Sequence, residues 1–101
     1  MEWNKGEQEH LKTGANLKRG LEMVGGRLYV TNERLYFKPH SINIQKDDLD
    51  ILLDQIRMIE KSKSMGFISN AMTVTTAEGI AHKFVVAKRD KVIDCIQSVK
   101  A

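Results

Sequence analysis

With one cysteine in 101 residues, this chain has no internal disulfide framework, so its fold rests on an apolar core alone. The lone Cys95 fits a reducing compartment, and a cytoplasmic location is expected. No apolar run approaches the roughly 20 residues that a membrane-crossing helix needs. The opening Met1-Glu2-Trp3-Asn4-Lys5-Gly6-Glu7-Gln8-Glu9-His10 lacks the basic-then-apolar pattern of a secretory leader and is expected to be the native start of a cytosolic chain. A large excess of one charge is lacking too. A formal net charge of +3 is a mild excess, below the basic clustering of a dedicated nucleic-acid binder.

The chemistry of catalysis is also missing. His10, His40 and His82 are scattered, with no ligand spacing to one another or to Cys95. Asp47, Asp48 and Asp50 lack the spacing and the glycine of a calcium loop, and read as solvated turn carboxylates. Gly25-Gly26 is not followed by the Gly-Lys-Ser/Thr of a phosphate loop, so the pair reads as a backbone bend. Cys95, on an amphipathic stretch, reads as a core or boundary residue. No enzyme, metal or cofactor is expected.

What is present is alternation. Hydrophobic residues make up 42% of the chain, ordinary for a globular domain and too many for a disordered one. From Val24 to Lys38, Leu28 and Val30 alternate with Arg27, Tyr29 and Thr31. Leu35 and Phe37 then alternate with Arg34, Tyr36 and Lys38. A period of two is what a strand with one buried face requires. With Asn32-Glu33 as a two-residue loop, Val30 faces Leu35, Tyr29 faces Tyr36, Leu28 faces Phe37 and Arg27 faces Lys38. One face of this hairpin is apolar, and the other is basic and aromatic.

The remaining elements follow the same logic. Leu11 to Lys18 alternates as a strand, and Gly20, Gly25 and Gly26 mark a bend or bulge before the hairpin. Pro39 ends the second hairpin strand because it cannot donate to a ladder. His40–Asp48 reads as a connection, with Ile42 and Ile44 dipping toward the core. Strands are expected at Leu49–Leu53, Arg57–Lys63, Met72–Thr76 and Ile80–Val86, with turn chemistry at Ser64-Met65-Gly66, Ser69-Asn70 and Ala77-Glu78-Gly79. The period then changes. Asp90 reads as an N-cap, and Val92, Ile93, Ile96 and Val99 form a helical stripe. Residues 1–10 carry only Trp3 as an apolar anchor and are expected to form a loosely held N-terminal segment, with one domain over 11–101. The fold class is mainly β: short antiparallel strands curling on themselves, capped by one C-terminal helix.

The string Gly25-Gly26-Arg27-Leu28-Tyr29-Val30-Thr31-Asn32-Glu33-Arg34-Leu35-Tyr36-Phe37 resembles the signature hairpin of the GRAM domain family, within the wider pleckstrin-homology-like fold. Leu52-Leu53-Asp54-Gln55-Ile56 and Gly79 with His82-Lys83-Phe84 are similar to later family segments, so the resemblance runs over about residues 11–100. It implies a bent sheet of about seven strands, a partly open barrel, under a C-terminal helix. It also implies a non-enzymatic module that binds proteins or membrane lipids, notably phosphoinositides. The chain is expected to act as a stand-alone module.

Three functional readings follow. Protein–protein interaction or self-association leads, since a small module without catalytic groups must act by contact. Peripheral binding of anionic lipid headgroups is the alternative, through Lys18 and Arg19 in the bend and the outward hairpin face of Arg27, Tyr29, Arg34, Tyr36 and Lys38. Single-stranded nucleic acid ranks third, because tyrosines interleaved with cations resemble a stacking platform only in composition. The facing assignment has a direct test. Leu35→Asp places an unpaired carboxylate in the core and should abolish folding, whereas Arg27→Glu should leave it intact. A normal thermal melt for Leu35→Asp would refute the assignment.

Overall fold

The alternating hairpin forms as its pattern requires. In the computed structural model, which describes residues 2–40, 47–64 and 68–100, β2 (Glu22–Thr31) pairs antiparallel with β3 (Arg34–Pro39). The register is Arg27↔Lys38, Leu28↔Phe37, Tyr29↔Tyr36 and Val30↔Leu35. Leu28, Val30, Leu35 and Phe37 are all fully buried or nearly so. Each such side chain contributes about 1.5–3 kcal/mol relative to exposure, so a one-residue slip of register would be prohibitive.

β1 (Glu9–Arg19) lies on the other side of β2, and β4 (Leu49–Leu52) on the other side of β3. A short 3-10 turn over Leu53–Gln55 leads into β5 (Ile56–Ser64), which pairs with β6 (Ile68–Thr76), and β6 with β7 (Ala81–Val85). The strands form one seven-stranded antiparallel sheet in the order β4-β3-β2-β1-β7-β6-β5. β1 joins β7 at only Asn16↔Val85 and Leu17↔Phe84, so the two halves meet at a corner. The sheet closes over one core there, and the rings of Phe37 on β3 and Phe84 on β7 stand 6.1 Å apart across it.

Helix α1 (Arg89–Lys100) packs on β1, β2, β6 and the 3-10 turn. Val92, Ile93 and Ile96 are buried and Val99 packs against them, the stripe that helical spacing predicts. Both ends of the helix are pinned. Arg89 Nη1 donates to the Ser62 carbonyl at 2.9 Å, and Lys100 Nζ donates to the carbonyls of Leu53 (2.7 Å) and Ile56 (3.0 Å). Asp90 lies in the first turn, where its charge complements the helix dipole, rather than at the N-cap. Ser69-Asn70 is not a turn but the start of β6, where the Asn70 carbonyl accepts the Val86 amide (2.9 Å). The expected roles of Ile42, Ile44, Met65 and Gly66 lie outside the described residues.

Gly26 is required by close approach. A Cβ there would sit 2.4 Å from the Lys38 carbonyl oxygen, 2.8 Å from Phe37 Cζ and 2.9 Å from Pro39 Cα. Gly14, one strand away, has open space at the same position. Gly26→Ala should therefore cost about 2–3 kcal/mol in urea unfolding, the scale of an overpacked core site, while Gly14→Ala stays within about 1 kcal/mol of wild type. Equal stability of the two variants would contradict the close packing of β2 on β3.

Candidate functional site

The outer face of β1–β3 collects the residues of even number on β1 and β3 and of odd number on β2. Tyr29 and Tyr36 face each other on it, as the register demands, but they do not face water: Tyr29 is 7% and Tyr36 9% exposed. Trp3 lies over them, with ring centroids 5.4 Å from Tyr29 and 5.8 Å from Tyr36, both edge-to-face. The N-terminal segment expected to be loose is instead a strap. Aromatic edge-to-face pairs contribute about 0.5–1.5 kcal/mol each beyond area burial, and the sole tryptophan of the chain makes two.

A buried ion pair anchors the strap. The Glu7 side chain is 0% exposed and meets Arg34 Nε at 2.8 Å, with Arg34 Nη2 donating to its second oxygen at 3.1 Å. The Thr31 hydroxyl donates to Glu7 at 2.6 Å, and the Asn4 amide donates to it at 2.9 Å. The same hydroxyl accepts the Glu33 and Arg34 amides, tying the pair to the hairpin turn. Asn32 clasps the strap from the turn: its Oδ1 accepts the Gln8 amide (2.7 Å), and its Nδ2 donates to the Gly6 carbonyl (3.1 Å). Burial by itself raises the Glu7 pKa, but the hydrogen bonds from Arg34, Thr31 and Asn4 together outweigh it and hold the carboxyl below its ordinary value of 4.5. Arg34 is raised further by its bond to Glu7, is also bound to Asp50 at 2.5 Å, and stands over the rings of Trp3 (5.3 Å) and Tyr36 (4.9 Å). Burial, with a hydrogen bond to Asp48, pushes the Tyr36 hydroxyl up to about 12.

The candidate residues thus divide into three groups. Arg34, Tyr29 and Tyr36 lie under or within the strap. Arg19 points to the opposite face of β1, toward His82, whose pKa is lowered by burial and by the Arg19 charge. Lys18, Arg27 and Lys38 stay in solvent on the outer face, together with Lys12. Lys12 pairs in register with Tyr29, Gly14 with Arg27, Arg27 with Lys38 and Lys18 with Met23. These four cations spread over about 20 Å of strand. Among the described residues none of the four has a carboxylate partner, and Gly14 leaves the backbone bare beside Arg27. At the tip of the β1–β2 hairpin Leu21 is fully exposed, and Met23 is 48% exposed on the basic face itself.

One signal called for an acid beside Arg34, without singling out Glu7 or Trp3. An arginine flanked by buried aromatic neighbours needs a counter-ion, and no acid on the adjacent strands alternates into that position except the exposed Asp50. Cys95 packs against the core, and burial raises its thiol pKa, which disfavours the reactive thiolate. Among the described residues no group of three or more His, Cys, Asp or Glu could hold a metal ion.

A bent seven-stranded antiparallel sheet closed by one C-terminal helix is the architecture of pleckstrin-homology-like domains. The chain belongs to the GRAM domain family, whose model matches residues 1–100 and so takes in the strap. Domains of this type bind proteins or lipids and typically act without catalysis. Three solved structures share the fold. One is the C-terminal domain of an unknown protein from Leishmania infantum (24% identity, TM-score 0.81, covering 94% of this chain and 85% of that one). Another is the Vps36 N-terminal PH domain (16%, 0.68, 97% and 80%), and a third is the hSac2 domain from human phosphoinositide phosphatase Sac2 (14%, 0.71, 97% and 73%). No curated protein sequence matches this chain. No helix among the described residues is long and apolar enough to cross a membrane.

Glu7 dictates the pH response of the strap. A carboxyl whose folded pKa is depressed adds stability that is full above its unfolded value and is lost as pH falls through the folded pKa. Trp3 fluorescence should therefore be constant from pH 8 to 5.5 and shift to the red below about pH 4.5 as the strap is released. Glu7→Gln should show the released spectrum already at pH 7, with a loss of about 3 kcal/mol from leaving Arg34 without its buried partner. A wild-type Trp3 spectrum in Glu7→Gln at pH 7 would contradict the anchoring role.

Proposed function

We propose that this GRAM domain is a non-catalytic module that docks on anionic membrane surfaces through the open part of its outer sheet face. The observation behind this reading is the set Lys12, Lys18, Arg27 and Lys38, exposed on one face and without carboxylate partners among the described residues. Like charges directly opposite, as at Arg27↔Lys38, cost stability in water and lose that cost against an anion. Each lysine or arginine held near an anionic leaflet contributes about 1 kcal/mol, so four are enough for reversible attachment.

An acidic protein surface would meet the same charges, but the apolar tip favours a bilayer. Leu21 is fully exposed at the tip and Met23 lies on the basic face, so both could enter the headgroup region while the cations engage phosphates. Nucleic acid is disfavoured by the strap. The tyrosines that could stack on bases are covered by Trp3 and lie within the aromatic cluster.

Co-sedimentation with vesicles of phosphatidylserine and phosphatidylcholine, against pure phosphatidylcholine, tests the reading. Binding should need the anionic lipid and fall steeply with salt. Lys18→Glu, Arg27→Glu and Lys38→Glu should each weaken it at least about fivefold, and Leu21→Asp should weaken it without reducing the melting temperature. Equal binding to both vesicles, or an unaffected triple variant, would overturn the proposal. So would salt-sensitive binding to a single-stranded oligonucleotide with none to vesicles.

A further inference from the structure

The edge of the sheet away from β1 has a different character. Among the described residues β4 pairs only with β3, so its other side presents backbone groups without a strand partner along Leu49–Leu52. That free edge forms one wall of a groove of about 340 Å³, and the β6–β7 turn forms the other. Leu52 (52% exposed) and Ile80 (50% exposed) line opposite walls. An isoleucine half in water on a tight turn, where Gly79 takes φ +83°, has no duty in the core. Thr76 lines the groove at 8% exposure, and its hydroxyl has no hydrogen-bond partner among the described residues. The groove has Glu78 and Asp50 among its lining residues, the latter also held by Arg34, and no lysine or arginine. Glu33 and Asp54 line a second depression that shares Leu52 with it, together with Lys100, whose Nζ is taken up by the Leu53 and Ile56 carbonyls.

We infer that this groove binds an extended segment of another protein, with alternating apolar and basic side chains, added as a strand to β4. Strand addition satisfies the edge of β4, and alternate side chains then fall beside Leu49 and Ile51 on one face of the sheet, with Ile80 across the groove, and beside Asp50 and Leu52 on the other. The charge of the rim selects the occupant. A second copy of the chain offering its own β4 would bring Asp47, Asp48 and Asp50 against the same residues, which opposes self-pairing. A membrane surface is opposed by the same carboxylates. This surface is separate from the basic face, so one domain could hold a membrane and a peptide together.

The test is an NMR titration of the ¹⁵N-labelled full chain with a nonapeptide alternating valine and lysine. Saturable shifts should map to Leu49–Leu52, Thr76 and Ile80. A peptide alternating valine and glutamate should not shift them, nor should the valine–lysine peptide once N-methylated on alternate amides, which removes its ladder donors. Ile80→Lys, on an exposed turn that should fold normally, is expected to weaken binding at least about tenfold, and Glu78→Lys about fivefold. The triple variant Lys18→Glu, Arg27→Glu, Lys38→Glu should keep the same shift map, which separates this inference from the membrane reading. Absence of saturable shifts at β4, equal shifts with the glutamate peptide, or full affinity in Ile80→Lys would overturn it. So would a concentration-dependent dimer abolished by Ile80→Lys, which would assign the groove to a second copy.

Discussion

The buried pair of Glu7 and Arg34 is the constraint on which the outer surface of this domain depends. A carboxylate taken wholly out of water is costly unless charge and hydrogen bonds replace its hydration, and here Arg34, Thr31 and the Asn4 amide do so. The pair is twenty-seven residues apart in sequence, and closing it carries Trp3 across the hairpin onto Tyr29 and Tyr36. Had Glu7 stayed in solvent, the two tyrosines and Arg34 would form an open aromatic and cationic platform. With it in place they become the floor of a small second core. The basic face that remains open is the part of the sheet the strap leaves uncovered.

The consequence is a domain with two poles. A net charge of +3 describes an average that no part of the surface has. The β1–β3 face carries exposed cations beside an apolar tip, whereas the β4 edge and the β6–β7 turn carry carboxylates around exposed Leu52 and Ile80. Arg34 and Asp50 sit at the border, paired with each other. The solved domains similar in fold share the framework, and at 14–24% identity they say nothing about either pole. Function on this fold belongs to the surfaces, and these follow from particular side chains.

Most of the framework was legible because it obeys short-range rules. The hairpin register was readable from Leu28, Val30, Leu35 and Phe37, since a period of two admits one facing once one face is buried. The C-terminal stripe of Val92, Ile93, Ile96 and Val99 was readable for the same reason at helical spacing. Ser69-Asn70 misled because its irregular backbone sits where the register of β6 with β5 shifts, inside a strand rather than at a chain reversal. The strap was illegible because its two anchors, a single tryptophan and one glutamate, sit in a polar stretch with no periodicity. Only a tertiary contact reveals their partners. The groove was hidden for a related reason. Leu52 reads as one more apolar residue in Leu52-Leu53, and the chain order does not show that Ile80 stands opposite it.

Native-state hydrogen exchange resolved by residue tests the central claim most directly, because backbone amides of the strap and of the hairpin turn each donate across to the other. The Gln8 amide donates to Asn32 Oδ1 and the Asn32 amide donates to the Gln8 carbonyl at 3.1 Å. If the Glu7–Arg34 pair holds the strap as an integral part of the fold, both amides are protected at neutral pH, together with the Glu7 amide. Exchange of all three at the rate of an unstructured peptide, with β2 and β3 still protected, would mean that the strap is not held and that the tyrosine face is open.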